Sequence, residues 1–123
     1  MRVAIIGSRS IVLKQERDIL AYLPEQTTEI ISGGAEGADQ LAERVASFLR
    51  IPITVFRPDY ARYHRRAPLE RNLDIIRRAD HVIALWDGHS RGTAHVIDHC
   101  IKEYKPIQVL LCRDGEFVQS ILK

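Results

Sequence analysis

Short, unbroken apolar runs alternate along the chain with stretches of helical period. The runs VAII (3–6), EII ahead of SGG, ITVF (53–56), HVIALW (81–86) and IQVLL (107–111) are aliphatic and continuous rather than alternating. Strands buried on both faces of a parallel sheet read this way, because side chains on either side meet a covering helix. Between the runs lie amphipathic patterns. Ala38, Leu41, Ala42, Val45, Ala46 and Leu49 share one helical face. Val12, Ile19, Leu20 and Leu23 predict a helix before it, ended near Pro24, with Glu16 interrupting the stripe. Leu69, Leu73, Ile76 and Ala79 predict a third helix with Pro68 at its start, where proline is tolerated. Val96, Ile97, Cys100, Ile101 and Tyr104 predict a fourth, stopped before Pro106, and residues 117–122 a short fifth.

This strict alternation predicts an α/β fold: a single Rossmann-like three-layer domain over residues 1–123, with a mostly parallel five-stranded sheet and helices on both faces. Right-handed crossovers leave few topologies, and the expected strand order is 3-2-1-4-5. A chain of 123 residues suits one domain and buries roughly two-thirds of its unfolded surface. Apolar residues make up 46%, which argues against disorder. No apolar run approaches the ~20 residues of a membrane span, and the amino-terminal run is too short for a signal peptide. Cys100 and Cys112 read as small buried hydrophobes rather than a disulfide, so a cytoplasmic location is expected. The net charge of +2 does not by itself imply nucleic-acid binding. The segment 57–66, however, concentrates Arg57, Arg62, His64, Arg65 and Arg66 with Tyr60 and Tyr63.

In open α/β sheets, ligands sit beyond the carboxyl ends of strands where the strand order reverses, here between the first and fourth strands. Gly7, Ser8, Arg9 and Ser10 follow the first strand; Ser32, Gly33, Gly34 and Gly37 follow the second; Trp86, Asp87, Gly88, Ser90, Gly92 and Thr93 follow the fourth. Six of the seven glycines fall in these three loops, none inside an expected helix. Glycine there lets backbone N–H groups approach an anion, and each loop runs into a helix N-terminus carrying partial positive charge. Strand-to-helix turns also use glycine for geometry alone. The dinucleotide fingerprint and the P-loop signature are both absent, which disfavours an ordinary NAD enzyme or P-loop NTPase.

As an ordered set, GSR after the first strand, SGGAEGADQLAE, an acid after the third strand, ERN on the third helix, AD before the fourth strand and WDGHSRGT after it resemble the SLOG superfamily. The likeness is to its small YspA-like (YpsA-related) branch, relatives of DprA and of the LOG cytokinin-activating enzymes, and covers residues 1 to about 112. It implies a Rossmann-like fold that binds nucleotides or nucleotide-derived ligands, in many members as a sensor and in some as an enzyme cleaving the N-glycosidic bond. It also implies frequent assembly as dimers or larger. LOG-type enzymes carry a glutamate three residues beyond the G-T pair; Gly92 and Thr93 match that pair, but Val96 stands at the glutamate position. A valine cannot act as a general base or steady an oxocarbenium-like centre. Asp98 is roughly 200° around the helix from that position.

Individual residues carry two readings each. Arg71 could pair with a phosphate, with Asn72 beside it, or be a surface arginine at a helix start. Arg9 is a second phosphate candidate. Ser8, Ser32, Ser90 and Thr93 could donate to a ligand or cap helices. Asp59 could accept from ribose hydroxyls or serve as a turn residue, and Asp39 reads as ordering its loop. Trp86 could stack on a base or simply pack. His95 and His99, spaced i, i+4, lack a third ligand and read as a solvated flank, so no metal or cofactor is expected. The chain is therefore expected to bind a nucleotide or nucleotide-derived phosphorylated small molecule, as a sensor or ligand-binding domain. The alternatives are an N-glycosidase using an atypical carboxylate, Asp59 or Asp87 with Glu70 also available, and single-strand nucleic-acid binding through segment 57–66.

Overall fold

The structure, a computed structural model, describes residues 1–8, 16–33, 38–114 and 116–122. Strands β1 (Arg2–Gly7), β2 (Glu29–Ser32), β3 (Ile53–Val55), β4 (His81–Trp86) and β5 (Ile107–Arg113) are parallel and lie in the order β3-β2-β1-β4-β5, as the run spacing predicts. Helices α1 (Ala38–Leu49), α2 (Tyr60–Tyr63), α3 (Ala67–Arg78) and α4 (Arg91–Lys102) make the connections.

The continuous apolar runs split cleanly by strand pleat. Val3, Ile5, Ile30, Ile83, Leu85 and Leu110 point to one face, against Ala38, Leu41, Ala42, Val45 and Ala46 of α1. Ala4, Ile6, Ile31, Val82, Ala84 and Val109 point to the other, against Ile75, Ile76, Val96 and Cys100 of α3 and α4. Adjacent side chains leave a strand on opposite sides, so a run buried on both faces has no polar place in it. Cys112 lies in the first core and Cys100 in the second; both are free, and burial pushes each thiol up to about 11.

Two expectations are corrected. The first helix is a 3-10 segment, Glu16–Tyr22, that sends Ile19 into the core beside α1. Residues 117–122 form no helix. They lie in a sixth strand, β6 (Glu116–Leu122), antiparallel to β5. Only Asp114 and Gly115 separate β5 from β6, and a two-residue link joins antiparallel neighbours but cannot make a parallel crossover. Asp114 takes a positive φ of 54° there. Among the described residues, no helix is long and apolar enough to cross a membrane.

At the amino-terminal edge of the sheet, the Asp80 carboxylate accepts from the Arg2 side chain and, at 2.8 Å, from the Arg2 backbone N–H. These bonds hold Asp80 at about 2, below its ordinary 3.8. A depressed folded-state pKa stabilises above the unfolded value and is lost on acidification, so the contribution fades as pH falls from about 4 toward about 2. Denaturant titrations at stepped pH should show the stability gap between wild type and Asp80→Asn closing over that window.

Gly7 ends β1 against its β4 partner Leu85. A Cβ added there would sit 2.6 Å from the Leu85 carbonyl oxygen and 3.2 Å from the Ala38 Cβ, with backbone on one side and a core methyl on the other. Gly7→Ala should lower unfolding free energy by about 1–3 kcal/mol in urea denaturation, the usual cost of overpacking.

Candidate functional site

The chain leaves β1 toward β2 and β3, then returns to pair β4 on the other edge of β1, so the strand order reverses between β1 and β4. A cleft of about 430 Å³ opens at that point. Its floor is the end of β1: Ile6, Gly7 and Ser8. One wall is the first two turns of α3, through Pro68, Leu69, Arg71 and Asn72. The other is the approach to α4 and its first turn, through Asp87, Ser90, Gly92 and Thr93.

Local chemistry shapes each wall. The Asp87 carboxylate accepts from the backbone N–H groups of His89 and Ser90, both at 2.8 Å, which turns the chain sharply into α4. Gly88 takes the left-handed φ of 87° that this turn requires. Ser90 is the N-cap residue of α4, without a side-chain cap bond. Gly92 and Thr93 therefore belong to the first turn of the helix, not to the loop where the glycine pattern places Gly92. A Cβ added at Gly92 would meet nothing within 4 Å. Thr93 and Ser8 are buried, their hydroxyls 3.5 Å apart, and the Ser8 hydroxyl also accepts from the Asp87 N–H. This ties the end of β1 to the start of α4.

Arg71 and Asn72 lie in the second turn of α3 rather than at its opening, because the helix begins at Ala67 with Pro68 in its first turn. The Arg71 guanidinium donates to the carbonyl of Gly33 at the end of β2 and, at 3.4 Å, to that of Phe56 just past β3. Its Nε–H donates to the Asn72 Oδ1 at 2.9 Å. An added Cβ at Gly33 would sit 2.9 Å from the Arg71 Nη1, the far end of a long side chain that can shift.

Other candidates fall elsewhere. Asp59 is exposed and caps α2 by accepting the Arg62 N–H, away from the cleft lining. The Trp86 indole donates to the Ser90 carbonyl at 3.1 Å and packs on the second core. Ser32 is fully buried at the end of β2 and does not line the cleft. Arg9, Gly34 and Gly37 lie outside the described residues, as does the Asp39 side chain. Glu70 pairs with Arg66 at 3.4 Å. Val96 is buried in the second core under α4 and does not line the cleft. Asp98 is exposed and pairs with Lys102. His95 and His99 stack with ring centroids 6.2 Å apart, and among the described residues no group of three or more His, Cys, Asp or Glu is placed to hold a metal ion. The basic segment is exposed ahead of α3, with the Arg62 guanidinium 5.0 Å from the Tyr63 ring centroid. Sequence reasoning missed Ile6, Pro68 and Leu69, whose apolar character reads as core and helix stripe until topology places them at a cleft.

The chain is similar to the Gene 61 protein of Mycobacterium phage D29, 30% identical over 118 residues that span 86% of this chain and 93% of that protein. The chain belongs to the Gene 61 protein family. No family model and no solved structure matches the chain.

Asp87→Ala removes the acceptor for two N–H groups and should cost about 1–2 kcal/mol, as losing a good cap does. Asp87→Asn keeps an oxygen acceptor and should cost less than half as much. Equilibrium denaturation of the two variants checks the difference.

Proposed function

We propose that this protein binds a nucleotide or nucleotide-derived phosphorylated small molecule in the cleft, as a ligand-binding or sensing domain. One observation carries the reading: the amino-terminal turns of α3 and α4 and the Arg71 guanidinium all border one cleft at the strand-order reversal. Helix amino ends carry partial positive charge, and the first N–H groups of α4 have no intrahelical partners. In α3 the Ala67 N–H is taken by the His64 carbonyl and Pro68 has none, so α3 contributes its dipole and Arg71, and together they favour an anion. The open space beside Gly92 leaves room for a phosphate to approach the first turn of α4. Ile6, Pro68 and Leu69 supply apolar surface for a base or sugar. The volume falls within the ~300–1,000 Å³ of ordinary small-molecule sites. The SLOG-like ordered motifs support the same reading.

An N-glycosidase remains the enzymatic alternative, favoured by one observation: Asp87 is the carboxylate that lines the cleft among the described residues. Its Oδ1 is already engaged by two N–H groups, and Val96 supplies no second acid. A binding role accounts better for this arrangement. Incubation with nucleoside monophosphates followed by chromatography should therefore yield no free base; base release abolished in Asp87→Asn would establish the enzyme instead.

The binding test uses differential scanning fluorimetry with nucleoside mono- and diphosphates, cyclic nucleotides and ADP-ribose. At least one should raise the melting temperature of the wild type. Gly92→Asp places a carboxylate in the first turn of α4, where the helix dipole stabilises it by about 0.3–1 kcal/mol. The variant should melt no lower than wild type yet bind the same compound at least tenfold more weakly, about 1.4 kcal/mol. No shift with any compound, or an unaffected Gly92→Asp, refutes the proposal.

A further inference from the structure

Arg71 and Asn72 form a unit whose chemistry restricts what the cleft can accept. A guanidinium can only donate hydrogen bonds. The bond from Arg71 Nε–H therefore obliges Asn72 to turn its Oδ1 toward Arg71, and the amide orientation follows from chemistry. The opposite end of that amide is the NH2 group. Among the described residues, the Asn72 Nδ2 has no hydrogen-bond partner, and it is not buried. Asn72 lines the cleft. Arg71 is itself anchored to the carbonyls of Gly33 and Phe56, which belong to the ends of two different strands, so the pair is braced from the sheet.

We infer that Asn72 is a specificity-determining residue of the cleft: it presents an oriented amide donor that selects ligands with an oxygen or nitrogen acceptor at that point. The inference rests on the cleft being the ligand site. Arg71 acts on it as a positioning residue. An asparagine free to rotate would accept or donate equally well; this one has its Oδ1 turned to Arg71 and its NH2 turned away. A group that can only donate, such as an ammonium, is left with the second lone pair of Oδ1, beside the Arg71 cation that repels it. Two sources satisfy the requirement, a phosphate oxygen and an acceptor on a base edge.

Asn72→Asp is the informative change. It keeps an oxygen for the Arg71 Nε–H, and adds a charge that strengthens that bond, while removing the only donor of the side chain. The probes are adenosine, guanosine, cytidine and uridine 5′-monophosphates, titrated calorimetrically into wild type, Asn72→Asp and Asn72→Ala. Asn72→Asp should melt close to wild type and bind the best probe at least tenfold more weakly. An equal loss for all four probes, reproduced in the uncharged Asn72→Ala, assigns the contact to phosphate; a changed rank order among bases assigns it to a base edge. Either supports the inference, because a purely structural role would move melting temperature rather than affinity or rank. Affinity and rank order unchanged in Asn72→Asp overturn it. Should the aspartate variant melt early, unchanged affinity in Asn72→Ala overturns it and a tenfold loss there supports it. If the wild type binds none of the probes nor any compound of the fluorimetry panel, the cleft reading itself fails; wild-type binding with indifferent variants sinks the role of Asn72 alone.

Discussion

β1 is hydrogen-bonded on both edges and covered on both faces, and the rest of the molecule is arranged around it. Its four central residues are buried, two to each core, and at its end Gly7 lies so close to the Leu85 carbonyl that no side chain fits. Parallel pairing on both edges forces the chain to leave first to one side and later to the other. That reversal parts the loops after β1 and β4 from a common covering helix and opens a cleft between α3 and α4. The depth of the cleft and the direction of the helices around it are consequences of strand order rather than of any one motif.

Within the cleft, polar groups are used twice. Asp87 shapes the entry to α4 with the same carboxylate that borders the cavity. Arg71 braces the ends of β2 and β3 while adding positive charge to one wall. Ser8 and Thr93 join the floor to the opposite wall. Side chains restrained in this way lose little conformational freedom when a ligand arrives, which is the advantage of a preorganised site. The same restraint bears on chemistry. Val96 is turned into the core and the Asp87 carboxylate is occupied by backbone donors, the two features on which the proposal of binding rather than turnover rests.

Apolar run length and helical period were enough to predict five strands alternating with helices, and the right-handed crossover rule their parallel order, because a strand covered on both faces is mostly apolar and leaves a continuous run. Loop chemistry likewise pointed to Gly7, Ser8, Asp87, Ser90, Gly92 and Thr93, since strand ends at a reversal point are where such residues gather, while Arg71 and Asn72 were read from the third helix and its SLOG-like motif. The sixth strand was misread because it does not alternate: its apolar residues come as the pairs Phe117-Val118 and Ile121-Leu122, four apart, which mimics a helical stripe; the Asp114-Gly115 dipeptide before it was the available signal. What tertiary structure alone decided was partnership. Only folding could show that Arg71 reaches back to the Gly33 carbonyl, that Asp59 caps a helix outside the cleft, that Pro68 and Leu69 form a wall, and that the Asn72 Oδ1 is turned to Arg71. The reason is physical: period and composition report which face of an element is buried, a local property, whereas hydrogen-bond partners here come from residues up to 85 positions apart, brought together by the order of the strands.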